Sequence, residues 1–220
     1  MTDKTTARGP YQTGIKRRQD IIDAAAQVFA KFGYTSGSLR QIAEDVGVTP
    51  SALIRHFNSK EGLLVAVLAR LEEENRRIMS PPYEGLEYYR RLPNLLANHT
   101  NHRGFVELLM TLSTEASNPR HPAREFITKR YDHVVSQGVQ RLQEARAIGD
   151  ILPMDDALLV IEVRGFFAQM DGLQLQWLLD PSIDLVGIFR HYLDVTLARW
   201  TGKPLPDAAA RGRTASQIPA

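Results

Sequence analysis

Between residues 38 and 60 the chain reads SLRQIAEDVGVTPSALIRHFNSK, two sets of apolar residues at helical spacing on either side of a short break. Ser38 occupies an N-cap position with Gln41 three residues on, and Leu39, Ile42, Ala43 and Val46 fall on one side of the helix that follows. Gly47 can take the left-handed backbone that a tight helix-to-helix corner needs, and Val48 plugs that corner. Thr49 caps a further helix with Pro50 at its first position, where the missing N–H loses no bond. On it Ala52, Leu53 and Phe57 can face inward, which leaves Ser51, Ile54, Arg55 and His56 to project. This is the pattern of a helix-turn-helix, a motif whose second helix fits the DNA major groove.

The flanks continue in helical register. Over 15–32, Ile21, Ile22, Ala25, Val28, Phe29 and Phe32 recur at helical spacing and Gly33 ends the run. Lys16, Arg17 and Arg18 crowd its leading end, where the helix dipole disfavours cations, so either a phosphate backbone lies there or they form a solvated cluster. Downstream, Asn58-Ser59 ends the third helix. Ser59 caps a fourth, with Gly62 at N3 where a capping box would place Glu, and it runs through Leu63, Leu64, Val67, Leu68, Leu71 and Ile78 to Pro81-Pro82. Residues 1–60 hold nine Lys/Arg against five Asp/Glu, a net charge of +4, whereas the rest of the chain, with 18 against 20, carries −2. A basic segment on a slightly acidic body suits a polyanion reader attached to something else.

The body shows no alternating strand pattern. Helices are expected over 86–96, where Pro93 marks a kink or an early end, over 103–117 before Asn118-Pro119, and over 123–147, closed by Gly149 and Pro153. Over 155–179 one line, Leu159, Val163, Phe166, Met170, Leu173 and Trp177, is uniformly large and apolar. A neighbouring line, Ile161, Gly165, Ala168, Gly172 and Leu175, is small in its middle and allows another helix to approach closely. Such a helix must be buried on more than one side. Ser182 is placed to cap a last helix over 183–200. The segment 1–14 reads as a flexible N-terminal arm, with Arg8 able to touch DNA if a groove lies near, and 202–220, rich in Pro, Ala and small polar residues, as a disordered tail.

Other classes lose support by composition. The 220 residues include no cysteine, which excludes a disulfide framework, a thiolate zinc site and a cysteine nucleophile. No Gly-rich phosphate loop and no enforced carboxylate pair stands out, so a helical metal-dependent enzyme is the disfavoured alternative and no cofactor is expected. His99 and His102, with Glu107 near, have i, i+3 spacing, but the polar surroundings suggest a loop with exposed histidines, and no metal site is expected. The N-terminus lacks the apolar run of a signal peptide, and no stretch approaches bilayer length, so a cytoplasmic protein with no membrane partner is expected.

With these residues identified, the segment 15–71 resembles the DNA-binding domain of the TetR family of transcriptional regulators. The resemblance lies in a long helix ending FAKFGY, then S-x-x-x-I-A-x-x-x-G-V-T, then A-L-x-x-H-F-x-S-K-E-x-L. It implies an all-α protein of about nine helices: an N-terminal three-helix helix-turn-helix DNA-binding domain (15–60), joined by a fourth helix to a helical ligand-binding and dimerisation domain (61–201). It further implies a homodimer on palindromic double-stranded DNA, released by a small-molecule effector. A repressor is the leading form, with an activator or a partner-sensing regulator of the same fold as the alternative. By the same resemblance Ser38, Arg40, His56 and Lys60 contact the DNA backbone, although His56 and Lys60 could instead merely close the helix corner. Arg17 and Arg18 join this set from their placement. Thr49, Ser51, Ala52, Ile54 and Arg55 make up the base-facing set, with Pro50 among them on the DNA-binding face, and Arg55 is foremost because a bidentate Arg–guanine pair is the commonest specific contact. Two departures stand out: Ile54 replaces the family's usual tyrosine, presenting an apolar side chain suited to a thymine methyl, and Pro50-Ser51 replaces a usual glycine or lysine.

The resemblance also pairs the last two helices with their copies in a four-helix dimer interface, for which Gly165, Phe166, Ala168, Gly172, Leu173, Phe189 and Leu193 are the candidates. Effector contacts are sought at Phe105, Met110, Arg164, Phe167, Asp171 and Trp177. Arg164 and Asp171 interrupt an apolar helix, and buried charges need partners. They could hold each other, pair with Glu115 or Glu162, or meet a ligand.

Overall fold

In a computed structural model the described residues, 10–80 and 82–205, form nine α-helices and no strand. These are α1 (Pro10–Ser36), α2 (Leu39–Asp45), α3 (Pro50–Phe57), α4 (Lys60–Ile78), α5 (Gly85–Asn101), α6 (Arg103–Glu115), α7 (Arg124–Ala147), α8 (Asp156–Leu179) and α9 (Leu185–Thr201). The all-α expectation therefore holds. Residues 10–14, expected in a flexible arm, belong to α1, for Pro10 has the fixed φ of a first helical turn. Residues 1–9, and 206–220 of the expected tail, lie outside the described residues.

The described residues fall into two compact units, one of 10–77 with His102–Lys129, the other of Ile78–Asn101 with 130–205. In the first, α1 packs along α6 and against α2, and α2 against α3. Its core is built from the apolar sides of these helices: Ile21, Ile22, Ala25, Val28 and Phe29, then Ile42 and Ala43, then Leu53 and Phe57, then Leu63, Leu64, Val67 and Leu68, with Val106, Leu108, Leu109 and Leu112 of α6. Phe32, expected on the same side of α1, is 42% exposed, one residue before the helix breaks at Gly33 (φ 75°, ψ 166°).

Local chemistry sets the corner. Ser38 Oγ accepts the Gln41 N–H at 3.1 Å and closes a capping box. At the other end of α2 the Val48 N–H reaches Ala43 O (2.9 Å) and the Gly47 N–H reaches Glu44 O (3.2 Å), the paired bonds of a Schellman motif around a left-handed Gly47. Thr49 Oγ1 then accepts the Ala52 N–H at 3.3 Å to cap α3. Gly62 has a steric cause: its N–H donates to Ser59 Oγ at 3.0 Å, and a Cβ there would be driven into the Phe57 carbonyl oxygen.

The second unit is organised by aromatic rings. Tyr89 of α5 lies edge-on to Phe166 (5.2 Å) and Trp200 (4.9 Å), and Phe166 meets Phe189 at 5.5 Å. The buried Tyr89 hydroxyl donates to Gly138 O of α7 at 2.8 Å. Helix α5 continues through Pro93 to Asn101 without ending early. Burial of Tyr89, Leu92, Leu95 and Leu96 around it offsets the roughly 3 kcal/mol that an interior proline costs. Helix α9 is capped by Asp184, whose carboxylate accepts the Gly187 N–H at 2.9 Å. Ser182, expected in that role, instead donates to Asp180 at 2.6 Å within the preceding turn.

The two lines on α8 separate cleanly. Leu159, Val163, Phe166, Met170, Leu173 and Trp177 are buried in the unit's own core. Phe166 and Leu173, with Phe189 and Leu193 of α9, were expected at a helix-pairing surface. All four are core residues instead, since each is no more than 4% exposed within the single chain. The line with the small residues faces out: Ile161 is 65% and Leu175 51% exposed, with Gly165 and Ala168 open between them.

Because the Gly62 backbone has no room to yield without moving Phe57, Gly62→Ala should lower stability by about 1–3 kcal/mol. Urea denaturation followed by circular dichroism measures this, and an unchanged midpoint would contradict the packing described.

Candidate nucleic-acid interface

On α3 the buried side is Leu53 and Phe57, with Ala52 half-buried. Thr49, Pro50, Ser51, Ile54, Arg55 and His56 are exposed, which gathers one continuous strip of hydroxyl, apolar and cationic groups along a single short helix. The Thr49 and Ser51 hydroxyls lie 2.9 Å apart, and Ile54 is 40% exposed despite its apolar side chain. Among the described residues no hydrogen bond or ion pair draws Arg55 inward, and its side chain is exposed. Ser38 caps α2 and is exposed, and Arg40 pairs with Glu44 at 2.9 Å across a solvated turn, a pair that contributes little to stability.

Arg17 and Arg18 are both exposed, but not at a helix end. With α1 beginning at Pro10 they lie beyond the first turn, where the dipole has largely faded and no longer disfavours their charge. Arg17 Nη1 donates to Val46 O at 3.3 Å, bracing the corner after α2, and the Arg18 guanidinium stands 5.0 Å from the Phe57 ring centroid.

Lys60 opens α4, half-exposed and held in place. Its Nζ donates to Thr35 O at 3.2 Å and stands 4.5 Å from the Tyr34 ring centroid. Burial holds this ammonium below its usual range, partly opposed by Glu61 and Glu115. The Tyr34 hydroxyl donates to Glu61 Oε1 at 2.9 Å. Burial, then Glu61, pushes that phenol well above its ordinary range, while Glu61 is held down by backbone and Tyr34 hydrogen bonds. Glu115 of α6 accepts the Tyr34 N–H at 3.1 Å, and His121 Nε2 lies 3.4 Å from the same carboxylate. None of Tyr34, Glu61, Glu115 and His121 stands out in the sequence as a site residue. The aromatic after Gly33 in FAKFGY is the only local signal.

The effector candidates are dispersed. Phe105 and Met110 are half-exposed in the first unit, and Phe167 and Trp177 are buried in the second. Arg164 and Asp171 do not pair with each other, nor do they find Glu115 or Glu162. Glu115 is taken by Tyr34 and His121, and Glu162 by Arg199 (2.6 Å) and the Trp200 indole N–H (2.8 Å). Asp171 accepts the Tyr131 hydroxyl at 2.7 Å, and burial raises its carboxyl above the ordinary range against the opposing effects of Tyr131 and Arg130. Arg164 is exposed and lines a cleft of about 540 Å³ with Asp132, Ser136, Gln140 and Gln143 over Val135, Val139 and Val160. His99, expected in an exposed loop, is buried in α5 with its ring 3.4 Å from the Gln174 amide, because α5 runs on past Pro93. Among the described residues no group of three or more His, Asp or Glu could hold a metal ion. No described helix is long and apolar enough to cross a membrane.

A short capped helix that presents a strip of exposed polar and cationic side chains, fixed to a second helix by a glycine corner, defines a helix-turn-helix DNA reader. The model of bacterial regulatory proteins of the tetR family matches residues 21–67. The HTH-type transcriptional repressor AcnR of Corynebacterium diphtheriae is 30% identical over 140 residues, covering 63% of this chain and 72% of that protein. The HTH-type transcriptional regulator UidR of Escherichia coli K12 is 26% identical over 164 residues, covering 72% and 83%. FadR of Bacillus subtilis, solved in complex with stearoyl-CoA, superposes with a TM-score of 0.64 at 21% identity, covering 82% of this chain and 98% of that one, which shows the shared fold. The chain belongs to the TetR family of DNA-binding transcriptional regulators.

Between the unfolded and the raised folded range of Asp171 the native state holds the extra proton, so stability falls as pH climbs through that window. Asp171→Asn keeps an acceptor for Tyr131 and removes the ionisation. Its melting temperature should exceed the parent's by a few degrees at neutral pH, with the gap closing below about pH 4. A variant that melts lower at pH 7 would show that the carboxylate is stabilising.

Proposed function

We propose that this regulator is a repressor, binding a palindromic operator as a homodimer and leaving it when a small molecule occupies the helical body of 61–201. The observation that carries this is the exposed strip on α3, with Arg55 free to meet a guanine edge while Leu53 and Phe57 anchor the helix beneath. In this reading Thr49, Pro50, Ser51, Ala52, Ile54 and Arg55 meet base edges. Arg17, Arg18, Ser38, Arg40, His56 and Lys60 meet phosphates, which supply most of the affinity. AcnR being a repressor supports the direction of control.

The dimer forms through the outward line of α8. Ile161, Gly165, Ala168 and Leu175, continued by Ile188 and Val195 of α9, offer an apolar surface with a small-residue centre, suited to close helix packing. Two copies then hold their readers near one DNA turn apart, about 34–36 Å. For the effector, the contacts lie within the second unit: Phe167, Asp171 and Trp177 on α8, and Arg164 in the α7–α8 cleft. The stearoyl-CoA bound by FadR of Bacillus subtilis supports an apolar ligand class. The ligand acts by binding the DNA-free arrangement more tightly than the DNA-bound one. A protein that works on chromosomal DNA resides in the cytoplasm.

Selection of bound duplexes from a random pool tests the whole reading: a palindrome with half-sites one turn apart is expected, and recovery of sites without symmetry would refute the dimer. On the recovered sequence Arg55→Ala should cost about 1–3 kcal/mol of discrimination at one base pair per half-site, while Lys60→Ala weakens specific and random DNA alike. Sedimentation at micromolar concentration tests the interface separately. Ala168→Glu should convert dimer to monomer with the helical signal intact, and a parent chain that already sediments as a monomer would eliminate this surface.

A further inference from the structure

Lys60 is ordered from two sides by Thr35 and Tyr34, neighbours at the α1 break, and Tyr34 is in turn held by the carboxylates of Glu61 and Glu115. The ammonium has three protons. One is directed to Thr35 O at 3.2 Å and a second faces the Tyr34 ring, which leaves a third for an outside acceptor. Tyr34 is fixed at its hydroxyl by Glu61 of α4 and at its backbone N–H by Glu115 of α6. The seat for Glu115 is built into α1. Gly33 has φ 75°, a conformation that breaks the helix there, and a Cβ at that position would collide with Glu115 Oε1. His121 closes the carboxylate from the far side, its Nε2 3.4 Å away and its ring edge-on to Tyr34 at 5.4 Å. The His121 Nδ1 is occupied by the Ala123 N–H at 3.2 Å, which leaves Nε2 as the nitrogen that faces Glu115.

We propose that Glu115 is a positioning residue for DNA binding: by clamping the Gly33–Tyr34 break it holds Lys60 in the place from which its remaining N–H reaches a phosphate. This rests on the reading of Lys60 as a phosphate contact. Glu115 touches no DNA. Its effect is to spare Lys60 the loss of side-chain freedom that binding would otherwise exact, a saving worth roughly tenfold in affinity for one long side chain. Because α6 ends at Glu115, the clamp ties the first residue of α4 to the end of a helix far along the chain.

A double-mutant cycle on the full-length chain, with a duplex recovered by random-pool selection as probe, tests this. Glu115→Ala is expected to lower affinity about tenfold and to cause no further loss on a Lys60→Ala background. Glu115→Gln, which keeps an acceptor for the Tyr34 N–H, is expected to restore most of the affinity. If Glu115→Ala does not fold, as judged by thermal melting, Tyr34→Leu takes its place in the cycle. It leaves the backbone amide to Glu115 and removes the ring beneath Lys60, and it should likewise add nothing to Lys60→Ala. Equal losses on the parent and Lys60→Ala backgrounds would overturn the proposal while leaving the phosphate reading intact. Full affinity in Lys60→Ala itself would overturn both.

Discussion

The reader depends on the angle between α2 and α3, and that angle is fixed by backbone bonding rather than by side-chain packing alone. Two N–H groups, of Gly47 and Val48, turn back onto the last carbonyls of α2, and one residue later Thr49 has already capped α3. The left-handed Gly47 makes this possible, since a side chain there would be strained. Arg17 adds a bond from α1 to the carbonyl of Val46, the residue where α2 gives out. With the corner set, Leu53 and Phe57 can be buried only with the Ser51–Ile54–Arg55 side outward. The recognition strip is thus a consequence of the corner.

In the second unit the decisive constraint is the need to find partners for charge among apolar helices. Glu162 would be a costly residue on the inner reach of α8 were it not bound by the Arg199 fork and the Trp200 indole, a pairing that also fastens α8 to the end of α9. Asp171 accepts a bond from a phenol, and burial outweighs the opposing pull of Tyr131 and Arg130, so its carboxyl is raised and not depressed. Arg164 avoids the problem by standing at the rim of a cleft. Three ionisable groups on one helix thus meet burial in three physical ways.

What could be read from the sequence was what is local. Ser38 with Gln41, Gly47, Thr49 with Pro50, and the spacing of Ile42, Leu53 and Phe57 each encode their own geometry within a few residues, so α2, α3 and the corner between them were legible, although Val46, read as part of the buried side of α2, is its half-exposed C-cap. Contacts made across long chain separations were not. Tyr34 and Glu115 are 81 residues apart, and Arg17 and Val46 are 29 apart, and nothing in either local pattern names the other. Helix α8 shows a subtler limit. Apolar on nearly every side, it had no periodicity to say which line faces out: the uniformly large line filled the core, and the line with Gly165 and Ala168 in its middle was left at the surface together with Ile161 and Leu175. The proline in α5 misled for the opposite reason, because a local penalty was outweighed by tertiary burial that the local sequence does not reveal.

The passage from α3 to α4 leaves little play. Helix α3 ends in Asn58 with φ 66°, a conformation few residues other than glycine adopt, and α4 is under way at Lys60 with Gly62 seated against the Phe57 carbonyl. Only Asn58 and Ser59 separate the two helices, and a Cβ at position 62 would collide with the Phe57 carbonyl oxygen, so the first turn of α4 sits directly against the end of the recognition helix.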